Sequence, residues 1–217
     1  GVGSLRGMRK LIALSFVLAG LLAVPAAASA APAVTGVFDL PEEANRIALG
    51  QDGNLWITLA SANPNLLKVT PDGTVTPFTA LDQGATPLSF PNGITTAPDG
   101  NLWVNGSGYV ARISPAAPTS AKKTDVASIA NPQDMRVGPD NRVWTASGDK
   151  AIAFTASDTP TVNVYNTGIA GFDARGSVGG TDGRVWIANA GTSPGVLPMT
   201  VGGTPGTLVP VPDPTSK

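Results

Sequence analysis

The chain has no cysteine and no histidine among its 217 residues. Without cysteine there is no disulfide framework, no thiolate chemistry and no lipid-carrying side chain. Without histidine the chain lacks the side chain most often used as a general base near neutral pH. Charge is scarce at 13% and aromatic residues at 6%. Leaving out Arg6, Arg9 and Lys10 gives 14 − 3 = 11 basic against 15 acidic side chains, a net charge near −4. No basic stripe exists to hold phosphates, which excludes nucleic acid as a partner. There is no G-x-S-x-G elbow, no Cys–His pair and no phosphate loop. No segment carries sustained helical periodicity with caps.

The beginning of the chain reads as an address rather than as part of the fold. Met8-Arg9-Lys10 is basic, and Leu11–Val24 follows as an uncharged run of 14 residues. That is short of the ~20 residues a membrane span needs. Ala28-Ser29-Ala30 fits the small-residue rule for signal cleavage. Residues 1–30 are therefore expected to be a leader and secretory signal, Gly1–Gly7 lying upstream of the first Met, and residues 31–217 one secreted domain with no membrane span. An uncleaved N-terminal anchor is the alternative. Glycine and proline total 26 + 20 = 46 residues, enough to raise disorder as a possibility. They fall at repeated turn positions between apolar strands, however, and the domain reads as ordered.

What the chain does have is a four-fold echo. Ala44–Trp56 reads ANRIALGQDGNLW, Pro91–Trp103 PNGITTAPDGNLW, Pro132–Trp144 PQDMRVGPDNRVW and Ala174–Trp186 ARGSVGGTDGRVW. The four tryptophans of the chain stand 47, 41 and 42 residues apart. A period of about 40–45 residues marks stacked supersecondary units. In the second copy Gly93–Ala97, Asn101–Asn105, Tyr109–Ser114 and Lys123–Ser128 read as four strands. In the first, Ile47–Leu49, Leu55–Leu59, Leu66–Thr70 and Thr74–Phe78 do. This predicts an all-β chain, a β-propeller of four-stranded blades over about 44–80, 91–128, 132–167 and 174–211. Each tryptophan is expected to pack between adjacent sheets rather than stack on a ligand. The pairs Asp52-Gly53, Asp99-Gly100, Asp140-Asn141 and Asp182-Gly183 suit hairpin turns that need positive φ. A calcium loop would need several acidic oxygens at each turn, and each offers one.

The segments Pro91–Trp103 and Lys68–Phe78 (KVTPDGTVTPF) resemble the virginiamycin B lyase family of β-propellers, and more loosely NHL and SMP-30-like propellers. That resemblance implies a lyase that opens a cyclic depsipeptide by elimination with a histidine, acidic residues and bound magnesium. The family's histidines match Asn45, Asn92, Gln133 and Arg175 here. Its glutamate three residues past the tryptophan matches Leu59, Gly106, Ser147 and Asn189. An elimination needs a base and an acid or metal, and neither is present at the matching places. A metal-dependent lactonase reading meets the same obstacle, since Arg175 repels a divalent ion. Glu42-Glu43, the only paired carboxylates, read as solvated loop residues.

The expectation is therefore a secreted, non-catalytic binding or scaffold module with no cofactor. The alternative is a lyase or metal-dependent hydrolase, using magnesium, whose active site lies partly in further blades. Asn45, Asn92, Gln133 and Arg175 precede the innermost strands and are expected to converge on the channel rim as three amides and one cation. There they would bind an unidentified small molecule, glycan or protein, or satisfy loop backbone. Asn105, Ser147 and Asn189 are secondary candidates for the same face. Val34–Leu40 reads as an extra outer strand, and four copies fall short of the six or seven blades of the family. A truncated or split propeller, a closed four-blade ring and self-association through open blade faces all follow as readings of that count.

Overall fold

A computed structural model describes residue 37 and residues 39–211. The expected signal segment therefore lies outside the described residues. So does most of Val34–Leu40; Val37, Asp39 and Leu40 are described and form no strand. The described part of the chain is all β, built as four small sheets in a four-blade propeller arrangement.

Blade 1 contains β1 (Ala44–Leu49), β2 (Leu55–Leu59), β3 (Leu66–Val69) and β4 (Val75–Phe78), paired antiparallel in that order. A short hairpin follows, β5 (Leu81–Asp82) and β6 (Thr86–Pro87). Blade 2 then adds β7 (Ile94–Thr96), β8 (Leu102–Gly106), β9 (Tyr109–Ile113) and β10 (Ser120–Asp125). Blade 3 is β11 (Met135–Val137), β12 (Val143–Ser147), β13 (Lys150–Phe154) and β14 (Val162–Asn166). Blade 4 is β15 (Ala174–Gly179), β16 (Arg184–Asn189), β17 (Gly195–Thr200) and β18 (Val209–Pro210).

Two sequence expectations need correction. The second sheet has six strands, not four, because β5 pairs parallel with β10 and carries β6 at its edge. Two-residue strands carry no period of their own, so nothing in the pattern announced them. The outer strand of blade 2 also starts three residues before the expected Lys123–Ser128. Its polar face lacks an apolar alternation that would fix a boundary.

The turns set the register. Gly53, Gly100, Asn141 and Gly183 all adopt positive φ, between 60° and 80°, as the Asp-Gly and Asp-Asn pairs predicted. The aspartate of each turn also accepts the indole N–H four residues on: Asp52–Trp56 at 3.1 Å, Asp99–Trp103 at 3.2 Å, Asp140–Trp144 at 3.0 Å and Asp182–Trp186 at 3.3 Å. The repeated acid thus satisfies the one polar atom of the repeated aromatic. Trp56 packs near Phe78, Trp103 near Phe154 and Trp144 on Tyr165.

Three apolar clusters fill the spaces between successive sheets. Trp56 and Leu66 of blade 1 meet Ile94, Leu102 and Val104 of blade 2. Trp103 and Val110 meet Met135, Val143 and Ile152 of blade 3. Trp144 and Ala146 meet Val185, Ile187 and Leu197 of blade 4. A smaller cluster, Ile57, Leu59, Leu67 and Val69, lies on the face of blade 1 turned from blade 2. The inner strands pack in order, β1 on β7, β7 on β11, and β11 on β15. Among the described residues blade 4 makes no comparable packing against blade 1. The four blades form an open arc.

Candidate functional site

The inner strands β1, β7, β11 and β15 pack in succession, and the four expected rim residues lie at or just before their starts. Asn45 and Arg175 fall inside β1 and β15, while Asn92 and Gln133 sit two residues before β7 and β11. Hydrogen bonds across the blade boundaries fix these positions. The Asn45 amide donates to the Pro91 carbonyl at 2.9 Å, and the Thr58 hydroxyl donates to the Asn92 carbonyl. At the next boundary Asn105, fully buried, accepts from the Gly93 N–H at 2.7 Å. It donates to the Gln133 carbonyl at 2.9 Å and the Thr145 hydroxyl at 2.7 Å.

Asn45 is therefore a clamp between blades 1 and 2, and Asn105 a clamp between blades 2 and 3. Ser147 accepts from the Asn131 N–H at 2.9 Å, and Asn189 accepts from the Asp173 and Gly191 N–H groups at 2.8 and 2.9 Å. These secondary candidates hold loop backbone in place. Arg175 is exposed and pairs with Asp173 at 2.5 Å.

Asn92 and Gln133 behave differently. The Asn92 backbone is fully used, its N–H donating to the Asn105 carbonyl at 2.7 Å. Its side-chain oxygen is buried without a hydrogen-bond partner. Gln133 is buried to 8% exposure, and among the described residues no protein group hydrogen-bonds its side-chain amide. A buried acceptor left unpaired costs about 1–3 kcal/mol, so the Asn92 oxygen is a place where a donor from outside the fold would be stabilised.

Sequence reasoning missed Phe90, two residues before Asn92. It is 62% exposed and held at a φ of 44°. A bulky residue at positive φ is strained, and strain of this kind gathers at binding sites. The only sequence signal is an aromatic ahead of Pro91 in a loop, where an extended backbone is the ordinary expectation. Ser89, just before it, accepts the Tyr109 hydroxyl at 2.9 Å and borders a cavity of about 250 Å³ with Asp82, Ser107 and Lys123. Burial raises the Tyr109 phenol well above its ordinary value, keeping it a neutral donor. The β5–β6 hairpin supplies one wall of this cavity.

The places matching the family's catalytic glutamate cannot supply a carboxylate. Leu59 is fully buried in the core. A Cβ at Gly106 would come within 2.1 Å of the Tyr109 ring. Ser147 and Asn189 are engaged as above. The rim does not suit magnesium either. Asp134 is gripped by Arg136 at 2.8 Å and Asp173 by Arg175 at 2.5 Å, so the nearby carboxylates are already neutralised. Among the described residues there is no cluster of three acidic side chains that could hold a metal.

No protein-family model and no curated protein sequence matches the chain. Solved structures do. Virginiamycin B lyase from Staphylococcus aureus superposes with a TM-score of 0.66 at 20% identity, covering 78% of this chain and 56% of that one. A streptogramin B lyase gives 0.66 at 19%, covering 81% and 58%. A gluconolactonase from Xanthomonas campestris gives 0.58 at 15%, covering 78% and 62%. The likeness is one of fold, a virginiamycin B lyase-like propeller. The chain spans less than two thirds of the length of each of these relatives.

Proposed function

We propose that this protein is a secreted, non-catalytic binding module whose propeller arc presents a glycan-binding rim at blades 2 and 3. The observation that carries the reading is the buried, unpartnered Asn92 side-chain oxygen two residues past the strained, exposed Phe90. An amide acceptor, the Gln133 amide, which no described residue bonds, and an exposed aromatic ring form a set that suits a hydroxyl-rich ligand. Hydroxyls donate to and accept from the amides, while the C–H face of a sugar lies on the ring. The lack of histidine and the Leu59, Gly106, Ser147 and Asn189 set argue against elimination chemistry. The uncharged apolar run Leu11–Val24 ahead of Ala28-Ser29-Ala30 supports secretion.

The test is a titration of the labelled protein with a panel of neutral oligosaccharides, reading the Asn92 and Gln133 side-chain amide resonances. Shifts at both, lost in Phe90→Gly, are expected. A panel that moves neither, or a peptide ligand that moves both while sugars do not, contradicts the glycan reading. The fold likeness to lyases and a gluconolactonase supports a second reading, in which this arc supplies part of a lyase or hydrolase site. Quinupristin, which accompanies a catalytically inactive virginiamycin B lyase in one similar structure, is the probe for that. Ring opening by the purified protein that depends on added magnesium would replace the first reading with the second.

A further inference from the structure

On the outer strands of blade 2 the sequence sets two cations directly opposite each other, Arg112 on β9 and Lys122 on β10. Side chains in direct opposition share one face with Cβ atoms roughly 5 Å apart, and like charges there destabilise a sheet. The pair is no part of the repeat. Arg112 is the cross-strand partner of Trp103, and the same places hold Lys68 with Thr76 in blade 1 and Ala153 with Asn163 in blade 3.

A carboxylate from another blade lies between the two cations. Asp158, in the loop between β13 and β14, puts one oxygen 2.8 Å from the Arg112 guanidinium and the other 3.6 Å from the Lys122 ammonium. Its side chain is 66% exposed, so water competes for it and the contact is weak. Arg112 is fixed from the other side, its Nε donating to Asp99 at 2.8 Å. Removing Asp158 would therefore leave the guanidinium in place and the two charges unbridged.

An open cavity of about 400 Å³ lies against Arg112 and Lys122. Ser114 and Ser120, each two residues along its strand and so on the same face, bring hydroxyls to it, and Gln83 brings an amide. None of the residues lining it is acidic. Gln83 comes from the β5–β6 hairpin, which has no counterpart in the other three sheets, and it holds a φ of 46°. Its N–H donates to the Ala121 carbonyl at 2.8 Å, which seats it beside Lys122. A non-glycine residue at positive φ is uncommon, and such strain gathers where ligands are clamped.

We propose that this cavity binds a small hydroxylated carboxylate, of the size and chemistry of a uronic acid, and that Asp158 is a resident stand-in which the ligand displaces. The Asp158 carboxylate already shows the recognition, one oxygen to a guanidinium and one to an ammonium, and Gln83, Ser114 and Ser120 supply partners for hydroxyls. The displaced aspartate loses little, because water solvates it where it stands. Arg112 faces Trp103 near the start of β8, away from Asn105, so this site does not depend on the reading of the rim.

The experiment is calorimetric titration of the full chain, purified in the form the host delivers, with D-glucuronate, and with D-glucose and acetate at the same ionic strength. Glucuronate should bind at one site per chain and shift the Gln83 side-chain amide resonance, while glucose and acetate bind at least about tenfold more weakly. Asp158→Asn should tighten glucuronate about two- to fivefold by removing the competitor. Lys122→Glu should abolish binding. Lys122 and Asp158 are both exposed, so each variant should keep the near-ultraviolet signal of the buried tryptophans. Absence of glucuronate binding in both the unsubstituted protein and Asp158→Asn would overturn the proposal, leaving Asp158 a tie between blades only. So would binding that survives Lys122→Glu, that weakens in Asp158→Asn, or that acetate or inorganic phosphate matches.

Discussion

Asn105→Ala tests how the blades are tied at the rim. Asn105 has no exposed surface, and its amide serves three groups, the Gly93 N–H of its own blade and two across the boundary between blades 2 and 3. Alanine leaves the Gly93 N–H and the Gln133 carbonyl without those partners, whereas the Thr145 hydroxyl keeps the Asp134 carbonyl at 3.1 Å. Each buried group left unpaired costs about 1–3 kcal/mol. Because neighbouring losses do not add fully, the total should be about 2–4 kcal/mol. Asn105→Asp should cost more, since a carboxylate keeps the Gly93 bond but faces the Gln133 carbonyl with like polarity. Urea unfolding reads the change as a shifted midpoint at constant slope. Thr145→Val should couple to Asn105→Ala in a double-mutant cycle. A loss below about 0.5 kcal/mol for Asn105→Ala would refute the clamp, because surface changes with no buried partner fall in that range.

Other perturbations probe different links. Gly93→Ala would place a Cβ 2.5 Å from the Gln133 carbonyl oxygen and should cost about 2–4 kcal/mol. Gly176→Ala, whose Cβ would meet nothing nearer than 4.0 Å, should stay within about 0.5 kcal/mol in the same urea assay. Trp103→Ala should cost about 3–5 kcal/mol as a buried aromatic truncation, and Trp186→Ala clearly less, since Trp186 is only half-buried. Phe90→Gly exchanges the strain of positive φ for a more flexible unfolded chain. Stability should therefore stay within about 1 kcal/mol while binding at the rim is lost. Burial pushes the Asp99 and Asp140 carboxyls up, but hydrogen bonds outweigh it and bring both below their ordinary value of 3.8. The bonds come from Arg112, Asn101 and Trp103 at Asp99, and from Trp144 and Arg142 at Asp140. A depressed folded value stabilises above the unfolded value and is lost as pH falls through the folded one. Thermal melting should therefore weaken below about pH 4, and Asp99→Asn should flatten that acid limb.

The arc was legible because its determinants are local. A turn that needs positive φ, an aspartate and a tryptophan four residues later recur in register, and periodicity carries them into a sheet. The bond from each aspartate to its tryptophan was not legible, because turn propensity alone already accounts for Asp-Gly. The hairpin at Leu81–Pro87 escaped notice since its strands are too short to alternate. At the rim, sequence alignment located Asn45, Asn92, Gln133 and Arg175. It could not sort them, because the sorting depends on contacts from other blades. Asn45 is consumed by the Pro91 carbonyl and Arg175 by Asp173, while among the described residues no group bonds the Asn92 side-chain oxygen. Phe90 broke the usual rule for a residue before proline, so its backbone could be found only in three dimensions.

The most direct test of an arc made from one repeated tryptophan interface is residue-resolved hydroxyl-radical footprinting. Trp186, half-buried, should oxidise readily while Trp56, Trp103 and Trp144 stay protected. A sample in which Trp186 is shielded as fully as the other three tryptophans would contradict the account.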